Sequence, residues 1–385
     1  MKRVVVIFLL AVGLFSFRLT QVPRGLTVDE IAFSKNAQLI AQTGRDENGR
    51  FLPVFVLSHA GQDGDDWRQP YTQYLTVVMY WLFGPSIHNL KFGSVLLAGS
   101  AVALIYWLGE HIWPWEKRWA LVAAALLAST PLVMIHSHLG LDPIMVLPFV
   151  LLWLIAVWQK KWTWAALALG LNYYAYRGMR AVVPVWTGLT AALIGTNKKL
   201  IIFGLWLIPF IVMVPLLEWK YAGAVIDRQS GIEDSVYDFA YYYLGSFDLS
   251  TLFVKGDEQL FHTTGRHGMF LLATLPWFTV GMYTAIKKKE PFWLVVAAAW
   301  WLGPLLYGFI GSTHRGHRLM FLVPLYVLLT TLGCRQLATS KQALVRRINI
   351  GLIILVVINW WDFISYYWFR YASDTAHLFY PPDGL

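Results

Sequence analysis

The chain has 385 residues, 57% of them hydrophobic and 14% charged, with a mean hydropathy of +0.51. A soluble globular domain is nearer one quarter charged, so this is the composition of a membrane protein, and the single cysteine, Cys334, excludes an internal disulfide framework. The net charge of +9 does not mark a nucleic-acid binder, because the Lys clusters cap apolar runs and form no single patch.

Residues 4–17 are an apolar run behind Lys2-Arg3. Phe17-Arg18-Leu19 follow where a signal peptide would carry a small-residue cleavage site, so an uncleaved first helix is expected. A helix needs about 20 apolar residues to span a bilayer. Runs on that scale predict spans near 4–22, 88–108, 118–138, 143–158, 162–176, 182–196, 200–217, 269–286, 291–311, 319–338 and 348–364. The expected architecture is an all-α polytopic bundle of about 11 transmembrane helices, N-terminus inside and C-terminus outside. The stretch Tyr71 to Phe83 is also apolar but holds only about 13 residues, too few to span. It is read as a helix lying at the outer interface. Counting it as a span would break the alternation of every later Lys cluster.

This topology sorts the charges. Inside lie ten Lys and five Arg against Glu110, Glu116 and Glu290, while 19 of the 22 acids lie outside. The inner face sums to +12 and the outer to −3. Lys inside needs only the positive-inside rule. Arg is concentrated outside, 12 against 5, which suits a fork-shaped donor for phosphate or carboxylate; snorkelling at helix ends is the competing explanation. Two outer loops are long, about 23–87 and about 218–268, so binding and chemistry are expected on that face. Residues 1–385 read as one membrane domain, without a separate soluble domain.

In the first outer loop, Thr27 is placed to cap a helix that runs to about Gln42, with Asp29 and Glu30 in its first turn. These acids are either chemistry or plain complements of the helix dipole. Asp142, the only acid in a very short loop, is either functional by its nearness to the membrane or a cap for the helix starting at Pro143. His136 and His138 are two apart and do not share a helix face, so they make a weak metal pair. The turn from Tyr173 to Arg180 carries Arg177 and Arg180, with few acids nearby in sequence, and the turn from Ser312 to Arg318 carries His314, Arg315, His317 and Arg318. Together the two turns would suit the phosphate of a membrane-borne donor. Asp257, Glu258, Gln259, His262, Arg266 and His267 are either a recognition loop or a solvated connector, and most of them read as the connector.

The order of these motifs resembles a known family. Asp29-Glu30, Thr43-Gly44-Arg45-Asp46, Gln69-Pro70-Tyr71, Leu141-Asp142, the Tyr-rich turn with Arg177 and Arg180, Phe253 to His262, and His314 to Arg318 follow one another over nearly the whole chain. The pattern is similar to that of the GT-C glycosyltransferases of the protein O-mannosyltransferase type (glycosyltransferase family 39). It also resembles their bacterial relatives that move 4-amino-arabinose onto lipid A. Two positions depart: the family usually has Pro-Pro where this chain has Gln69-Pro70, and often an Arg shortly before the second-loop Asp, where this chain has His138.

The resemblance implies sugar transfer from a polyprenyl-phosphate donor to a protein, glycan or lipid acceptor, on the outer face of a prokaryotic plasma membrane and with inversion. Asp29 maps onto the family's first-loop catalytic acid and is expected to act as general base, and Asp142 onto its second-loop acid. Glu30, Gln69, His138, Tyr176, Arg177, Arg180, His314, Arg315, His317 and Arg318 are the expected contacts to donor and acceptor. No metal site and no required cofactor are expected, since a monophosphate donor does not need a divalent cation. The alternative from another class is a transporter or flippase of a lipid-linked sugar. Such proteins tend to place charges at the membrane midplane, and here the charges crowd one surface.

Overall fold

The structure, a computed structural model, describes residues 2–59, 66–225, 235–311 and 314–381. In chain order the helices are α1 (Lys2–Ser16), α2 (Val28–Thr43), α3 (Pro70–Phe83), α4 (Ile87–Ile112), α5 (Arg118–Ala128), α6 (Pro131–Ser137), α7 (Val146–Trp158), α8 (Trp162–Tyr173), α9 (Met179–Leu193), α10 (Asn197–Lys220), α11 (Val236–Gly245), α12 (Leu275–Lys288), α13 (Pro291–Leu302), α14 (Tyr307–Ile310), α15 (Leu322–Ala338) and α16 (Ala343–Tyr366). Each of the eleven apolar runs is helical. Among the described residues, four helical stretches, Ile87–Ile112, Asn197–Lys220, Pro291–Ile310 and Ala343–Asp374, are long and apolar enough to cross a membrane, and α5 with α6 makes a fifth if that bent pair is one span.

The run expected as one span at 118–138 is broken by 61° between α5 and α6. Pro131 is the cause: it opens α6, and the residue before a proline is pushed out of helical conformation, as Thr130 is at φ −69° and ψ 120°. Among the elements not foreseen, two stand out in the long outer loops. One is α11. The other is a hairpin of two three-residue strands, β1 (Val56–Ser58) and β2 (Asp66–Arg68), antiparallel with Val56 opposite Arg68.

Charge pairs gather the ends expected to face inward. Glu110 near the end of α4 lies 3.9 Å from Arg3 and 3.8 Å from Lys117, and Arg335 on α15 grips Glu116 at 2.6 Å. Above them α12 and α15 cross backbone to backbone. A Cβ on Gly281 would lie 1.8 Å from the Leu329 carbonyl oxygen, and one on Gly333 would lie 1.8 Å from that of Trp277. Small residues of this kind let membrane helices approach closely where no hydrophobic force separates helix from lipid. Gly281→Val and Gly333→Val are therefore expected to cost at least about 1–3 kcal/mol. Gly188→Ala, which meets nothing within 4 Å, is neutral or stabilising. Melting in detergent measures the difference, and equal melting of all three variants would contradict the close crossing.

Candidate active site

The first outer loop builds its part of the site from local rules. Thr27 caps α2 as the sequence suggests, and Glu30 closes a capping box with it. That fixes Asp29 on the first turn, with its side chain about half exposed. Its partner was not foreseen. Arg68, at the end of β2 and nearly buried, donates to Asp29 Oδ1 at 2.6 Å. Arg68 also lies 3.7 Å from Asp66, and Asp66 Oδ1 accepts from Arg177 at 2.8 Å. Asp29, Arg68, Asp66 and Arg177 thus form a chain of alternating charge. The scarcity of acids near Arg177 held only along the sequence; the hairpin brings one to it.

Asp142 stands beside this chain. It is not the N-cap of the helix that follows: it is the first residue of a 3-10 turn, Asp142–Met145, whose N-cap is Leu141, and the N-cap of α7 is Met145, which corrects the capping alternative. Its Oδ1 is sealed from solvent without a hydrogen-bond partner. Burial pushes its pKa up to about 7, and the Asp29 charge adds to this, while Thr72, Arg68 and Arg177 pull the other way.

Arg180 is committed to structure. It donates to Gln69 Oε1 at 2.7 Å and to the carbonyls of Ala224 and Val225 at 2.8 and 2.7 Å, and so ties the head of α3 to the turn after α10. His138, expected at the donor, is instead fully buried with its ring nitrogens on the carbonyl oxygens of Val22 and Phe15 at 2.8 and 2.9 Å. It anchors the segment leading into α2. Glu30 is also fully buried and accepts from the Gly140 N–H at 2.8 Å, so it faces the protein and not a ligand.

The second basic turn is closed by the loop read as a solvated connector. That reading is corrected for Asp257, His262 and His267, which are buried, while Glu258 and Arg266 are exposed. Asp257 Oδ2 accepts from the His317 main-chain N–H at 3.0 Å and lies 2.7 Å from its Nδ1. The rings of His136, His262 and His317 stack in sequence, with centroids 4.9 and 4.0 Å apart. Burial, with Arg315 nearby, holds the His262 and His317 pKa values well below the ordinary imidazole value. His314 stands 3.7 Å from Glu258 and 4.0 Å from Asp248. Ser312 and Thr313 lie outside the described residues.

Two tyrosines join the halves. The Tyr307 hydroxyl donates to the carbonyls of Gly178 and Arg318 at 3.2 and 3.1 Å. Tyr176 is within electrostatic reach of Asp142, Asp257, Arg177 and Arg318. Both Arg turns and both acids therefore meet in one region. Among the described residues no group of three or more His, Cys, Asp or Glu is placed to hold a metal ion.

Solved structures of similar fold are ArnT from Cupriavidus metallidurans in the apo state (TM-score 0.59, 13% identity, 96% of this chain and 76% of that one) and the same protein bound to undecaprenyl phosphate (TM-score 0.58, 13% identity, 98% and 72%). The chain has the GT-C fold. A third GT-C structure, the archaeal oligosaccharyltransferase AglB from Archaeoglobus fulgidus in complex with an inhibitory peptide and a dolichol-phosphate, matches with a TM-score of 0.56 and 9% identity, over 99% of this chain and 56% of that one. This GT-C chain is an integral membrane protein. In sequence it is 26% identical over 285 residues to the undecaprenyl phosphate-alpha-4-amino-4-deoxy-L-arabinose arabinosyl transferase of Pectobacterium atrosepticum. The match covers 67% of this chain and 47% of the relative, so the chain spans about half the length of the curated relative it matches. No family model matches.

The raised Asp142 pKa has a measurable sign. The folded state holds this proton more tightly than the unfolded chain, whose Asp titrates at the ordinary 3.8. The stability it contributes is present at low pH and is lost as pH rises from about 4 to about 7. Melting temperatures of wild type and Asp142→Asn across that window test it: the wild type falls relative to the variant. A constant difference would contradict the sealed carboxyl.

Proposed function

We propose that this protein transfers a sugar from a polyprenyl-phosphate donor to an acceptor hydroxyl or amine, on the outer face of a prokaryotic plasma membrane, with the N-terminus in the cytoplasm. A single membrane domain, 1–385, carries the reaction. The observation that supports this most is the meeting of Asp29 and Asp142 with the Arg177 and Arg315–Arg318 turns in one region. Similarity to a relative named for undecaprenyl-phosphate arabinosyl transfer supports the donor class. The acceptor of that relative is not carried over.

In the proposed reaction the acceptor oxygen or nitrogen attacks the anomeric carbon from the face opposite the phosphate. The bond from that carbon to the phosphate oxygen breaks, and the phosphate leaves with the electron pair. Asp29 takes the acceptor's proton. Its contact with Arg68 aims it. Arg177, Arg315 and Arg318 stabilise the charge that grows on the phosphate, which departs without a protonating acid. Asp142, when ionised, supports the positive charge developing at the sugar carbon. His317, Tyr176 and Tyr307 stand beside these groups. Gln69 and Arg180 hold the head of α3, and Glu30 and His138 hold the loops that carry Asp142 and lead into α2. No divalent ion is required by a monophosphate donor.

The test is release of polyprenyl phosphate by the purified protein from a panel of polyprenyl-phosphate sugars, with membrane lipid and protein as acceptors. Asp29→Asn is expected to lose about 10²–10⁴-fold in turnover in protein that still inserts and folds. Full activity in Asp29→Asn would discard the base. Movement of the lipid-linked sugar across a bilayer without release would replace transfer by a flippase.

A further inference from the structure

Two ionisable side chains are buried behind Asp29 and Asp142, and the reaction described above gives neither of them a chemical step. Glu30 is 0% exposed. Its Oε2 accepts the Thr27 N–H at 2.9 Å and the Thr27 hydroxyl at 3.1 Å, and its Oε1 accepts the Gly140 N–H at 2.8 Å. Lys91, from the first turns of α4, is likewise 0% exposed. Its Nζ donates to the carbonyl oxygens of Pro23 and Gly25 at 3.2 and 3.1 Å, within electrostatic reach of Glu30.

We propose that Glu30 and Lys91 are a pair of positioning residues that set the spacing of Asp29 from Asp142. This rests on the sugar-transfer reading. Asp29 is the residue before Glu30, and Asp142 is two residues after Gly140. One carboxylate therefore holds two loops that are 110 residues apart in sequence. A capping box alone does not explain it, because that motif needs only the Thr27 contacts inside α2. The Gly140 bond is additional. Position 140 is tight as well: a Cβ there would lie 2.9 Å from Leu90 Cγ, so α4 braces the Asp142 loop with Leu90 and the Asp29 loop with Lys91. The groups facing the carboxylate from packed elements are Lys91, Tyr80, Tyr367 and Tyr371. Lys91 is the one basic side chain among them. An isolated buried carboxylate is costly, and a buried cation that offsets it makes the clamp sustainable. Misplacing a reacting group by about 1 Å can cost about 10²-fold in rate.

The experiment compares wild type, Glu30→Gln, Lys91→Met and the double variant in lipid nanodiscs. It reads kcat and donor KM from polyprenyl phosphate release, and melting temperature without substrate. Glu30→Gln is expected to lower kcat about 10- to 100-fold with donor KM unchanged, because the clamp touches neither phosphate nor sugar. The double variant is expected to lose less melting temperature than the two single losses together, because each single change strands the opposite charge. Glu30→Asp, which keeps the charge on a shorter arm, supplies the kcat reading if Glu30→Gln does not insert. Wild-type kcat in the Glu30 variants, a rise in KM alone, or strictly additive melting shifts would overturn the proposal. Absence of release by the wild type from every donor would instead end the sugar-transfer reading, and the positioning role with it.

Discussion

The Arg68–Asp29 ion pair is the contact on which the outer end of this molecule depends. It joins the first turn of α2 to the end of β2 across 39 residues. Through Asp66 it continues to Arg177, and through that turn to Tyr307 and the second basic turn. Charges at a membrane surface that are partly shielded from water must find partners, and unpaired ones are expensive. The chain meets this demand by alternating signs along one line. The same arrangement leaves Asp29 half exposed, while burial raises the pKa of Asp142 beside it to about 7. Two carboxylates in one region with different environments are a general way to divide roles between acids.

Beneath this line the structure is a set of braces. His138 bonds the carbonyls at the end of α1 and beyond it, Lys91 bonds those just before α2, and Glu30 joins α2 to the loop of Asp142. Each brace is a polar side chain satisfied by main-chain atoms, the arrangement that keeps a buried polar group from costing stability. At the other end, Arg3, Glu110, Lys117, Glu116 and Arg335 gather α1, α4, α5 and α15. Between the two ends the packing is apolar and, at Gly281 and Gly333, limited only by backbone.

Much of this was legible in the sequence, for definite reasons. Apolar runs and Lys caps are local, so the helical runs could be read directly. Thr27 with Glu30 three residues on, and Pro70 at a helix start, are local capping signals, and α2 and α3 follow them. What was missed is tertiary. Strands of three residues carry too little pattern to be seen, and with the hairpin went Arg68 and Asp66. The only signal was their place beside Gln69-Pro70. The loop holding Asp257 and His262 is polar, and polarity reads as solvation until the stack with His136 and His317 buries it. His138 looked like a ligand contact because a ring nitrogen bonded to a distant carbonyl leaves no mark in sequence. The break at Thr130-Pro131 did leave one, and the apolar run around it hid the proline.

The most direct test of the account is to locate a bound phosphate. A cryo-electron microscopy map of the protein in nanodiscs with undecaprenyl monophosphate is predicted to show the phosphate between Arg177 and the Arg315–Arg318 turn, within reach of the Asp29 and Asp142 region. A phosphate seated only in the groove lined by Lys160, Lys161 and Lys199, with the outer site empty, would contradict it.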